Sequence, residues 1–227
     1  MSAPLALTRA AQHYARRTEG RKAVLDCCGA TDHAWERYDV ERRWFPRVLR
    51  CLIVGENPGA VTSEYFYARP KSYPADRVRV RRCLLRGLYN EGVIPEATLE
   101  GFCDAGFFFD HAIRCQLPKK VVDRERERAR RYRSGRVQDP AHLKSSIRQA
   151  TVVWVMGHLA SNAVANASSE FPKELRKISE SPYPAPIRPC SRFFVSEYFT
   201  RWNESETPDI CRAFVRFASG RAVFHDV

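Results

Sequence analysis

The residues best suited to chemistry stand in four short polar clusters: Gly55-Glu56-Asn57-Pro58-Gly59, Asp110-His111, Gly157-His158 and Ser196-Glu197. In the first, an amide and a carboxylate sit on a loop bounded by glycines and a proline, where backbone can approach a bound molecule closely. An amide positions other groups by hydrogen bonding and is too weak to be a strong base. Glu56 could orient a base or a water, or sit in a local ion pair. His111 could hydrogen-bond a substrate or stabilise developing negative charge, whereas a lone histidine at a strand end is often satisfied by backbone. His158 reads as structural. Ser196 and Glu197 are candidates by position alone.

Each cluster stands at the exit of a short apolar run. Arg50 to Val54 is apolar and rich in branched residues, with a glycine after it, which predicts a buried strand feeding a tight loop. Gly106 to Cys115, Thr151 to Gly157 and Arg192 to Val195 read as three further strands. Between them lie helical patterns. Arg77 to Gly92 places Val80, Leu84, Leu85 and Leu88 on one face with arginines opposite. Pro95 to Phe102 reads as a short helix, an Ala/Asn/Val helix follows the third strand, and Thr207 to Ser219 closes the chain. Residues 3–18 read as a first helix, although Met1 to Arg17 is also basic and amphipathic like a weak transit peptide. Four prolines between Ser181 and Pro189 require an extended loop. Strands alternating with helices predict an α/β fold, a three-layer sandwich with a central, mostly parallel four-stranded sheet flanked by helices. In such sheets a ligand site lies beyond the carboxyl ends of the strands, where all four polar clusters fall.

The composition is that of a globular protein, with 44% hydrophobic and 11% aromatic residues in 227, and one domain is expected. Lys and Arg outnumber Asp and Glu by 38 to 26, a formal charge of +12. A polyanionic partner is the natural reading of that excess, and a basic protein without such a partner is the alternative. Eleven Lys/Arg against four Asp/Glu crowd Lys119 to Arg148, a charged insertion that reads as a solvated helix or a mobile arm. The eight cysteines, at 27, 28, 51, 83, 103, 115, 190 and 211, contain no C-x-x-C, so the usual zinc spacings are absent and most are expected to be small buried hydrophobes. No secretory signal or membrane-length apolar run is read, so a cytoplasmic monomer with no membrane partner is expected.

The segment V-G-E-N-P-G-A-V-T-S-E-Y-F-Y-A-R-P (Val54 to Pro70) resembles motif 1 of the uracil-DNA glycosylase superfamily, most closely its mismatch-specific branch. G-F-F-F-D-H-A-I-R-C-Q-L-P is similar to that branch and to the iron-sulfur branch, and V-V-W-V-M-G-H-L-A-S-N-A to a later strand and helix start. The resemblance spans roughly residues 25–215. It implies a DNA-repair enzyme that hydrolyses the N-glycosidic bond of uracil or a related damaged pyrimidine, in duplex or single-stranded DNA, without a metal or cofactor. Such chemistry needs a positioned water, a held base and stabilisation of the base's negative charge, after the base has been flipped out of the helix.

On that resemblance Asn57 positions the water, with Glu56 beside it, and His111 falls where many relatives carry a uracil-reading Asn; Asp110 would serve there if the match slips by one residue. Gly55, Pro58 and Gly59 shape the loop. Phe66 would stack on the flipped base, or belong to the core. Ser196 to Trp202 stands where relatives carry their last motif, which puts Ser196 and Glu197 at the site and Arg201 and Trp202 toward the DNA groove. Arg130, Arg131 and Arg133 of the charged segment would grip phosphates. Cys115 matches one cluster ligand of the iron-sulfur branch, but Cys27-Cys28 replaces the paired N-terminal ligands, so no intact cluster is expected. Two other readings stand beside this one. One is a non-catalytic member of the same fold that binds DNA or a modified base. The other is a nucleotide- or phosphate-binding protein, against which the absence of G-x-x-x-x-G-K-[S/T] counts.

Overall fold

The computed structural model describes residues 34–58, 65–68, 78–114, 141–172, 192–196 and 207–220. Its centre is a four-stranded sheet of β1 (Cys51–Gly55), β2 (Phe107–His111), β3 (Val152–Met156) and β4 (Phe193–Ser196), in the order β2-β1-β3-β4. Every neighbouring pair is parallel. Every residue of these strands is buried, which is why they read as continuous apolar runs rather than alternating ones: both faces are covered. The expected three-layer sandwich is therefore the fold, and its sheet is parallel throughout.

Register sorts the strand residues onto two faces. Ile53, Phe109 and Trp154 align side by side, as do Leu52, Phe108 and Val153. On the first face, Phe107 and Trp154 both meet Phe214 of α7 (Thr207–Ser219), Trp154 stacking on it at 4.4 Å, while Phe102 of α4 (Leu99–Asp104) packs on Phe107. α3 (Arg79–Asn90) packs on α7. On the second face, Phe108 meets Trp35 of the short α1 (Ala34–Arg37) and Phe45, just after α2 (Val40–Trp44), and Phe193 meets Phe171, which follows α6 (His158–Ala167). α6 packs on α5 (Ala141–Gln149).

The edge strand β2 is closed by a side chain. The Tyr67 hydroxyl donates to the Phe109 carbonyl at 3.0 Å and accepts from the Phe109 N–H at 2.8 Å. One phenol thus satisfies both backbone groups of a residue that a further strand would otherwise pair.

Several expected elements shift, for local reasons. The helix expected from Pro95 begins at Leu99, because the Thr98 hydroxyl accepts from the Gly101 N–H (3.1 Å) and caps it there. The strand expected to reach Cys115 ends at His111, opposite the last residue of β1. Of the charged segment, residues 119–140 lie outside the described residues. Its last eight are no arm: they fall in α5, whose Leu143 and Ile147 are buried in the core. Arg81 does not lie opposite the apolar face of α3. It shares the i, i+3, i+4, i+7 face with Leu84, Leu85 and Leu88 and is buried. α1 and α2, helices of four and five residues, are too short to show a helical period in the sequence. The helix expected over 3–18 and the loop over 181–189 lie outside the described residues. No helix among the described residues is long and apolar enough to cross a membrane.

Candidate functional site

In the order β2-β1-β3-β4 the chain leaves β1 toward one edge and β3 toward the other. The crevice beyond the carboxyl ends of β1 and β3 is thus the switch point at which open α/β sheets bind ligands. The motif segment Gly55 to Pro58 emerges there.

Two sets of contacts hold that segment. Toward β2, the Ala112 N–H donates to the Gly55 carbonyl (2.8 Å) and the Ile113 N–H to the Glu56 carbonyl (3.0 Å). Toward β3, Glu56 reaches Gly157, the N-cap of α6. A Cβ built on Gly157 would lie 2.6 Å from Glu56 Oε1, and Gly157 adopts φ +89°. Glu56 is 4% exposed and its carboxylate lies at the start of α6, the end of a helix that carries partial positive charge. Within Gly55 to Pro58 only Asn57 is partly exposed. Its Nδ2 donates to the Pro58 carbonyl at 2.7 Å, which orients the amide from its nitrogen side.

His111 lies level with Gly55 across the β1–β2 pair. Its ring stacks on Tyr65 (5.7 Å) and meets the edge of Phe109 (5.0 Å). Its carbonyl accepts from His142 Nε2 at 2.9 Å, so that nitrogen carries the proton. Burial drives the His111 imidazole down to about 3; Asp110 opposes the shift, while Arg114 and His142 add to it. The ring is neutral at physiological pH, able to give or take a single hydrogen bond at each nitrogen.

Asp110 points the other way along the alternation, and its carboxylate is engaged within the fold. Arg114 donates to it through Nε (3.1 Å) and Nη2 (2.8 Å), and the His111 N–H donates at 2.7 Å. Arg114 also bonds Glu41 (3.1 Å) and lies over the Trp35 ring at 3.5 Å. Burial by itself raises the Asp110 carboxyl, but Arg114, then His142 and the hydrogen bonds, bring it below its ordinary value. In this structure the Asp110 side chain, read as serving at the site if the match slips by one residue, belongs to a buried ion pair that pins α1 and α2 to the end of β2.

Phe66 takes the second of the two places read for it, in the core. It is 1% exposed, and its ring stacks on Phe109 at 4.4 Å with further contacts to Tyr67 and Phe102. No face is left for a base in this structure. Ser196, at the end of β4, accepts from Trp154 Nε1 at 2.8 Å and receives the Gly157 N–H on its carbonyl. Gly59, Glu197, Arg201, Trp202, Arg130, Arg131 and Arg133 lie outside the described residues, as do Cys27, Cys28, Cys115 and Cys190. Cys51, Cys83 and Cys211 are free and buried. Among the described residues no three His, Cys, Asp or Glu side chains come together to hold a metal ion.

The site also contains residues that the sequence did not single out. Arg81 Nη1 donates to the Phe66 and Ala68 carbonyls (2.8 and 2.6 Å), holding the 65–68 segment against the sheet. Arg81 had a readable signal, a charge on the apolar face of its helix. Tyr65, stacked between Tyr38 and His111, had none beyond its place next to Phe66. Compared with protein-family models, with curated proteins and with solved structures, the chain matches none.

Proposed function

We propose that the protein is a monofunctional DNA glycosylase that hydrolyses the N-glycosidic bond of uracil or a related damaged pyrimidine in DNA, leaving an abasic site. The observation that carries this reading is the position of Asn57, the partly exposed residue of the Gly-Glu-Asn-Pro segment, at the β1–β3 switch point, with His111 level with the same loop across β2. In this reading the Asn57 carbonyl oxygen orients the attacking water, since its nitrogen is held by Pro58. A neutral His111 hydrogen-bonds the departing base and stabilises its charge in a water-poor setting, where such a bond is strongest. The chemistry routes through side chains alone.

The phosphate-binding reading is disfavoured by Glu56. Its carboxylate rests against the start of α6, the place where a phosphate would otherwise bind, and like charges there repel. The non-catalytic reading draws support from the burial of Phe66, whose ring has no open face to stack on a base. One experiment separates these. Purified protein is incubated with single-stranded and duplex oligonucleotides carrying uracil, hypoxanthine or a thymine mismatch, and abasic sites are then cut with alkali. Scission at uracil is the expected result. Lesion-selective binding without scission would favour the non-catalytic reading, and neither binding nor scission would end both.

A further inference from the structure

α3 carries four arginines and no acidic residue. Arg81 is buried and holds the Phe66 and Ala68 carbonyls. Arg82 and Arg86 point elsewhere. With Tyr89 they recur at i, i+4 and i+7, so the three share one side of the helix, turned away from the buried Leu84, Leu85 and Leu88. Arg82 is half-buried, Arg86 is exposed and Tyr89 is 50% exposed. Tyr89 is one of two large hydrophobic side chains left exposed among the described residues.

The placement of these charges works against the helix itself. Arg82 lies in the first turn, the end of a helix that carries partial positive charge, and like charges four residues apart repel. No carboxylate among the described residues pairs with Arg86. Glu91, just past the helix end, is held by Arg212 of α7 at 3.4 Å. An uncompensated arginine and an open aromatic ring on one face, in a chain with a formal charge of +12, fit a polyanion that also offers flat apolar surfaces.

We propose that the exposed side of α3 is a docking surface for single-stranded DNA, with Arg82 and Arg86 on its phosphates and Tyr89 stacked on an unpaired base. The planar guanidinium fork matches phosphate oxygens. A tyrosine ring stacks on any base, but a duplex keeps its base faces covered, so the ring selects a single strand. The surface is also tied to the crevice. Arg81, next to Arg82, holds the 65–68 segment, and Tyr65 of that segment stacks on His111. Arg82, Arg86 and Tyr89 then follow over about 10 Å of helix. The choice of DNA as the polymer rests on the glycosylase reading; the two cations and the ring do not.

The test uses the full chain and a lesion-free, fluorescently labelled single-stranded oligonucleotide, with binding followed by anisotropy over a range of salt concentrations. Arg86→Ala should flatten the slope of log affinity against log salt by about 0.7, the contribution of one phosphate on a single strand. Tyr89→Ala should weaken binding about tenfold at every salt concentration and leave the slope alone, because stacking releases no counterion. Tyr89→Phe keeps the ring and should bind as the parent does. Arg42→Ala removes an equal charge from an 83% exposed side chain on α2, across the sheet, and should keep the parent slope. Parent-like binding by Arg86→Ala or by Tyr89→Ala would overturn the proposal, as would a duplex bound as tightly as the single strand. A slope that falls as much in Arg42→Ala as in Arg86→Ala would reduce the effect to net charge and overturn it too. A parent that binds through Arg86 and Tyr89 yet cuts no uracil-containing DNA would sink the glycosylase reading and leave this surface standing. A parent that cuts such DNA while both variants bind as it does would do the reverse.

Discussion

The Glu56 carboxylate occupies the space that a side chain on Gly157 would need, with Oε1 2.6 Å from the place of a Cβ. The exit of β1 and the start of α6 can approach this closely because residue 157 is glycine. The backbone there, at φ 89° and ψ 174°, is a region essentially restricted to glycine. Gly157→Ala therefore meets two penalties, a strained backbone and a displaced carboxylate. A loss of about 1–3 kcal/mol in urea unfolding is expected, with a larger fractional loss of any DNA cleavage. Wild-type stability in Gly157→Ala would contradict the contact.

Tyr67→Phe should destabilise the protein, whereas Tyr65→Phe, which removes a buried hydroxyl without a hydrogen-bond partner, should leave it as stable or more so. It strips the Phe109 N–H and carbonyl of their partner at the sheet edge, at about 1–3 kcal/mol for each group left buried and unpaired. The opposite signs of these two conservative changes, read in one set of melting curves, test whether the hydrogen-bond assignment around β2 is right.

Asn57→Ala should separate catalysis from folding. The side chain is partly exposed and its amide bonds the adjacent Pro58 carbonyl, so stability should change by no more than about 0.5 kcal/mol. Cleavage of uracil-containing DNA should fall by roughly tenfold or more, since a misplaced water loses the advantage of orientation. Equal rates in variant and parent would remove Asn57 from the mechanism.

Acid should destabilise the fold through His111. Its folded value near 3 lies below the ordinary 6.5, so as pH falls from 6.5 toward 3 the unfolded chain binds a proton that the folded chain refuses. Stability then declines by up to about 1.4 kcal/mol per pH unit from this group. Asp110, held below its ordinary 3.8, contributes stability present above 3.8 that is lost only at still lower pH. Urea midpoints measured between pH 7 and 4 should fall less steeply in His111→Leu than in the parent. Parallel curves would show that the titration lies elsewhere.

DNA binding should weaken as salt rises, with log affinity falling linearly in log salt as condensed counterions are released. Replacing Arg130, Arg131 and Arg133 by Ala should flatten that slope by up to about three units if each meets a phosphate. Lesion preference should stay the same, because phosphate contacts position without reading bases. An unchanged slope would direct attention to exposed arginines of the described fold, such as Arg86 on α3 and Arg216 on α7.

Much of the frame was legible in the chain. The runs Cys-Leu-Ile-Val, Phe-Phe-Phe and Val-Val-Trp-Val announce buried parallel strands. The spacing of Ile210, Cys211, Phe214, Phe217 and Ala218 places the closing helix at Thr207–Ser219, where it is found. The polar clusters were read at strand exits, and Asn57 and His111 do lie at the carboxyl ends of β1 and β2. These features are local: a strand or helix repeats its geometry every few residues, so its pattern of burial is written over a span that one can read.

What the side chains do at that end of the sheet was decided by tertiary structure. Whether Asp110 faces a substrate or Arg114, and whether Phe66 lies against a base or Phe109, depends on strand register and on which of two faces a residue takes. Neighbouring residues point to opposite faces, so Asp110 and His111, adjacent in sequence, enter different surroundings. The Tyr67 hydroxyl meets Phe109 across 42 positions of chain, and Glu56 meets Gly157 across 101. The four strands, the longer helices and the class of fold they build could be read along the chain. The pairing of buried polar groups was settled only when strand order β2-β1-β3-β4 brought distant residues together, because a hydrogen bond is selected by distance and direction in space and leaves no periodic trace along the chain.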